Sequence, residues 1–189
     1  MILMRHGQSH FNVVYGETRQ DPGLRDPGLT DLGRDQAAAA AEALRQHPVT
    51  RIVASPYTRT LETADIVARV LGLAVTVEPV VGERVVFDCD IGTECSVLTR
   101  TWPDWSFHHL DEEWWPTREE SEDSLERRCR GFRDDMSRTD AWRGVLVVTH
   151  WGVIRTLTGH RVQNADLVKF DPTAPHPGGG TVVPTPDTC

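Results

Sequence analysis

At 189 residues, 39% of them hydrophobic and 25% charged, the chain has the composition of an ordinary globular domain and too little length for two independent ones. Its formal charge of -8 argues against nucleic acid or an anionic membrane as partner, since both reward a basic surface. No apolar run approaches the ~20 residues that span a bilayer, four residues before Arg5 are too few for a secretory signal, and Cys89, Cys95, Cys129 and Cys189 form no C-x-x-C pair. These features lead to the expectation of a soluble, cytoplasmic protein with reduced thiols and no zinc site.

Met1-Ile2-Leu3-Met4 reads as a short buried strand that runs directly into Arg5-His6-Gly7-Gln8-Ser9. A cation, an imidazole and a glycine at a strand's carboxyl end stand where open α/β sheets bind ligands. Residues 13 to 29 are rich in turn formers, and Asp21-Pro22-Gly23-Leu24 is echoed by Asp26-Pro27-Gly28-Leu29 as two similar turns. Thr30 is placed to cap a helix that runs through the alanines to about Gln46, and Arg51 to Ala54 reads as a second strand. A helix from about Tyr57 to Leu71, closed by Gly72, leads to a third strand over Ala74 to Val77. Residues 83 to 118 break this alternation and gather Trp102, Trp105, Trp114 and Trp115 with His108, His109 and Asp111-Glu112-Glu113. Ser121 to Arg138 suits a helix, Val145 to Thr149 is another buried strand followed by a turn and helix, and the Pro- and Gly-rich tail from Pro172 to Cys189 suggests weak order. The alternation predicts a three-layer α/β/α sandwich with a mainly parallel sheet.

Four segments carry a family resemblance. Arg5-His6-Gly7-Gln8-Ser9-His10-Phe11-Asn12 resembles the Arg-His-Gly signature of the histidine phosphatase family, the phosphoglycerate-mutase-like proteins. Leu29 to Ala37, Ala54 to Ala64 and Val147 to Gly152 are similar to its second, third and fourth motifs, in the order the family requires. The resemblance covers residues 1 to about 160, within one domain over residues 1 to 171. It implies a phosphoglycerate-mutase-like fold and an insertion at about 83 to 118 that covers the pocket and selects the substrate. The tryptophans there would be its apolar walls or, equally well, a minicore under a long loop.

Hydrolysis of a phosphate monoester needs a nucleophile, positive charge around the phosphoryl oxygens and a proton for the leaving oxygen. The resemblance implies that His6 is the nucleophile and forms a phosphohistidine, with Arg5, Arg59 and His150 around the phosphoryl group and Asn12 as a pocket amide. Asn12 could equally cap the loop it sits on. Glu83, in Val81-Gly82-Glu83-Arg84, resembles the mutases' Glu-Arg pair and is the favoured proton donor, with Asp88 as rival. Gln8 and Trp151 depart from the glutamate and the small residue that many members carry, and Trp151 narrows what can be said of substrate.

The resulting expectation is a phosphomonoesterase of the histidine acid phosphatase type, needing no metal and no cofactor, acting on a small phosphorylated substrate. A phosphoglycerate-mutase-type phosphotransferase and a non-catalytic phosphate-binding module are the alternatives. Val85 to Thr93 also resembles the Asp-x-Asp-x-Thr loop of haloacid-dehalogenase-like phosphatases, but Ile91 pushes Thr93 one place too far. A cysteine-dependent phosphatase fails on spacing, because only four residues separate Cys95 from Arg100.

Overall fold

The computed structural model describes residues 1–184. Within them, strands β1 (Ile2–Arg5), β2 (Arg51–Ala54), β3 (Val75–Val77), β4 (Val145–Thr149), β5 (Leu167–Phe170) and β6 (Gly180–Val183) form one mixed sheet in the order β3-β2-β4-β1-β5-β6. The first four of that order are parallel, and β5 and β6 extend the sheet in antiparallel fashion. The helices are α1 (His10–Thr18), α2 (Asp31–Leu44), α3 (Thr58–Leu71), α4 (Cys95–Thr101), α5 (Glu122–Ser137) and α6 (Trp151–Thr158).

The side-chain period of two explains the layers. Val77, Ala54, Val148, Met4 and Leu167 lie in register across the strands and pack on one face with Ala37, Ala40, Ala41 and Leu44 of α2 and Leu61, Ala64 and Val67 of α3. The neighbouring register row, Val53, Val147, Leu3 and Val168, one residue earlier in the parallel strands and one later in antiparallel β5, faces the other way, onto Leu125, Cys129 and Phe132 of α5 and Val153, Ile154 and Leu157 of α6. Both faces are therefore covered, which is why the central strands read as continuous apolar runs. Because β1, β2 and β4 are parallel, their carboxyl ends open onto one edge.

The chain departs from the sequence reading in two places. Residues 10 to 18, read as a loop followed by turns, form α1: Ser9 accepts from the Asn12 backbone N–H at 3.4 Å while Asn12 Oδ1 accepts from the Ser9 N–H at 3.0 Å. This is a capping box with Asn in the place usually held by Glu or Gln, and the helix it starts is too short to show a clear apolar period. The tail is built in as far as it is described. β6 pairs with β5, and the buried Arg133 of α5 donates to the carbonyls of Leu157 and Pro172 at 3.1 and 3.0 Å. Residues 185 to 189, including Cys189, lie outside the described residues.

Of the two roles the sequence left open for the tryptophans of residues 83 to 118, the packing matches the minicore, and none of them lines the main cleft. Phe107 and Leu98 are buried in the α2/α3 core, and Trp102, Trp105 and Trp114 pack against it, the first two with ring centroids 4.8 Å apart. His109 Nε2 donates to the Val77 carbonyl at 2.9 Å, so this segment covers the end of the sheet beside β3.

Candidate functional site

The residues following β1, β2, β3 and β4 border one cleft of about 1030 Å³, lined by Arg5, His6, Asn12, Arg59 and Glu83 among others. Its floor is built by close backbone contact. A Cβ on Gly7 would collide with the Gly33 carbonyl, and a Cβ on Gly33 with the Gln8 carbonyl, so glycine at both positions lets the β1 loop lie against the start of α2. Side chains from the other motifs complete the anchoring. Gly7 N–H donates to Thr63 Oγ1 at 3.1 Å and Gln8 N–H to Gln36 Oε1 at 2.9 Å, while Gln8 Oε1 accepts from the Thr30 hydroxyl at 2.9 Å. Gln8, one of the two departures in the sequence, therefore serves the scaffold.

His6 is 4% exposed, and its Nδ1 lies 2.7 Å from the Gly7 carbonyl. A carbonyl only accepts, so Nδ1 carries the proton and Nε2 carries the lone pair. Burial, and then the charges of Arg59 and Arg5, push the imidazole well below the ordinary histidine value and keep it neutral. Arg5 reaches past it to donate from Nη1 to the Val162 carbonyl at 2.9 Å, and burial lowers its pKa to about 10.

His150 caps α6 and is wholly buried behind the cleft wall, its ring centroid 5.3 Å from that of His6. Its Nε2 is 2.8 Å from Ser55 Oγ. Among the described residues, His150 Nδ1 and Arg5 Nε are the buried side-chain polar atoms without a hydrogen-bond partner. Burial, then Arg59 and His6, lower the His150 pKa well below the usual value.

Arg59, on the first turn of α3, is buried over the Tyr57 ring at 4.6 Å. It donates from Nη1 to the Cys89 carbonyl at 2.8 Å and from Nη2 to Asp90 at 3.0 Å. Glu83 projects into the same cleft, held by the N–H groups of Arg84 and Gly152 at 2.9 and 3.1 Å. A Cβ on Gly152 would strike the Glu83 carboxylate, so the glycine after Trp151 makes room for it. Burial, followed by the charge of Asp90, raises the Glu83 pKa.

The structure thus groups Arg5, His6, Asn12, Arg59 and Glu83 on one surface with His150 directly behind. Asn12 does both things open to it, capping α1 and lining the cleft, where Asn164 Nδ2 donates to its Oδ1 at 3.0 Å. Asp88 is exposed and lies outside this cleft. Sequence reasoning passed over Ser55, Asn164 and the partner role of Asp90. Ser55 stood in a quoted motif next to its strand and Asp90 in the Asp-x-Asp-like segment set aside on spacing, whereas Asn164 had no local pattern to mark it.

The chain belongs to the histidine phosphatase superfamily (branch 1), whose family model matches residues 1–184. It is 30% identical over 171 residues to a glucosyl-3-phosphoglycerate phosphatase of Mycolicibacterium vanbaalenii, covering 84% of this chain and 72% of that one. A probable phosphoglycerate mutase of Photorhabdus laumondii is 36% identical over 79 residues, and this match spans 42% of the chain and only 35% of the mutase. The native structure of a mycobacterial glucosyl-3-phosphoglycerate phosphatase superposes with a TM-score of 0.61 at 26% identity, covering 89% of this chain and 87% of that one. The superfamily and these relatives are phosphatases and mutases, which makes this chain an enzyme of that group.

Proposed function

We propose that the protein is a metal-independent phosphatase that hydrolyses a small phosphate monoester through a phosphohistidine on His6. The observation that carries this reading is the 2.7 Å contact of His6 Nδ1 with the Gly7 carbonyl, which leaves a neutral Nε2 lone pair beside two guanidinium groups. Nε2 attacks phosphorus and the bond to the ester oxygen breaks. Glu83, whose pKa is raised by burial and by the charge of Asp90, is the proton donor of this reading and delivers a proton to the departing alkoxide. Water then attacks the phosphohistidine, Glu83 takes up the proton that water releases, and inorganic phosphate leaves with His6 neutral again.

Arg5 and Arg59 would balance the charge on the phosphoryl oxygens, and Asn12 would contribute its amide. His150 Nδ1 and Arg5 Nε, unpartnered within the described residues, would find partners in that group; a polar atom left unpaired in a protein interior costs about 1–3 kcal/mol. The likeness to a phosphatase over most of both chains supports hydrolysis over phosphoryl transfer to a second alcohol.

The test is hydrolysis of an aryl phosphate by wild type and His6→Ala, each in excess EDTA, with alkaline quenching to trap an acid-labile phosphoryl label. Chelator-resistant turnover and label that both vanish with His6 are expected. Retained activity in His6→Ala would refute the mechanism, and transfer of label to an added alcohol in preference to water would identify a mutase.

A further inference from the structure

We propose that Asp90 sets the affinity of this pocket for phosphate by competing with the phosphoryl group for Arg59, an inference that rests on Arg59 as a phosphate ligand. The two side chains are 4% and 3% exposed, touch at 3.0 Å, and both line the cleft that holds His6. Arg59 has five N–H donors, and the Cys89 carbonyl and Asp90 already occupy one on each terminal nitrogen.

Asp90 is fixed independently of Arg59. Its Oδ2 accepts from the backbone N–H groups of Val86 and Phe87 at 3.1 and 3.2 Å, tying the carboxylate to the short turn that carries it. The carboxylate therefore stays with its turn, and a grip on phosphate through the Nη2 N–H that Asp90 holds requires the longer Arg59 side chain to give up that bond. An arriving phosphate dianion meets two guanidinium groups, one of them already matched by a carboxylate at contact distance. Phosphate is both the transferred group and the final product, so a pocket that holds it less tightly also releases it sooner. Asp90 in this account is a positioning residue that acts through Arg59 and leaves the reacting atoms untouched.

Asp90→Asn tests the idea with almost no change of shape. Its amide oxygen keeps the two backbone N–H groups, which turns the NH2 toward Arg59; two donors cannot bond each other, so Arg59 is freed for phosphate. Competitive inhibition by inorganic phosphate should tighten by about tenfold, equivalent to one charge-assisted hydrogen bond, with KM falling alongside and no gain in kcat. A purely structural Asp90 would give the opposite sign, because a slackened turn weakens binding. Unchanged or weaker inhibition in folded Asp90→Asn would overturn the inference.

Arg59→Ala separates this idea from the reading beneath it. Weaker phosphate inhibition in Arg59→Ala, with no tightening in Asp90→Asn, removes only the role of Asp90. Full inhibition in Arg59→Ala removes Arg59 as a ligand and the inference with it. Should Asp90→Asn not fold, a wild-type crystal structure with inorganic phosphate decides the matter. Arg59 Nη2 turned from Asp90 to a phosphate oxygen supports competition, and an intact Arg59–Asp90 bond beside bound phosphate refutes it.

Discussion

The loops leaving β1, β2 and β4 and the segment from residue 91 to residue 118 are held in place by different means. The loops are locked by backbone: His6 N–H donates to the Thr149 carbonyl at 3.0 Å, Ser55 N–H to the Val148 carbonyl at 3.1 Å, and Gly7 touches Gly33 where no side chain fits. The later segment is held by side chains, with Phe107 buried and Trp102, Trp105 and Trp114 laid on the α2/α3 core. Reacting groups need placement to fractions of an ångström, and parallel strand ends supply it. A cover on the sheet edge needs only apolar area, which many arrangements of aromatic residues provide.

Substitutions that act on one region and spare the other sharpen this contrast. The largest effect should come from His6→Gly, with turnover falling by at least ~10⁴-fold while the thermal melt stays near that of wild type, and partial recovery on adding free imidazole. Phe107→Ala should do the reverse, costing about 3–5 kcal/mol in urea unfolding while kcat of the remaining folded protein is kept. A fall in kcat there would place the tryptophan segment in the chemistry and break the contrast.

Glu83→Gln should lower kcat by roughly 10²-fold on alkyl esters and less on aryl esters, whose leaving groups need no proton. The pH profile carries the sign. Activity should rise as pH climbs through the lowered pKa of His6 and fall as Glu83 loses its proton above a raised one. The falling limb should vanish in Glu83→Gln. The smallest effect is on stability. His6 and His150 resist protonation when folded, whereas the unfolded chain accepts protons near the ordinary value of 6.5. Stability from these groups is complete above that value and declines as pH falls toward their folded-state pKa values, by up to about 1.4 kcal/mol per pH unit for each imidazole. Urea midpoints measured above and below the ordinary value check this.

Legibility in the sequence follows the same division. β1, β2 and β4 are apolar runs that end in Arg5-His6-Gly7, Ser55-Pro56 and His150, so their pattern and their motifs can be read together. Glu83 is readable only through its resemblance to a family pair, and its hold on Gly152 N–H links positions 69 residues apart. α1 is hidden by its short length and an unusual cap. β5 and β6 are hidden because antiparallel strands of four residues are too short to show a strong pattern of their own, and because Arg133 pins the intervening turn from a distant helix. The sequence leaves the tryptophans open between pocket wall and minicore because composition reports aromatic content without the direction in which a ring points.

The contact between Gly7 and Gly33 makes two pieces of chain, separated by a helix and two turns, a single mechanical part. The address of the imidazole is therefore written twice, once by β1 and once by the first turn of α2. An alanine at either glycine would push both pieces apart, so the two single variants should injure the protein by nearly the same amount and the double variant by little more than either. The shortfall of the double variant from the sum of the singles thus measures how far the two act as one.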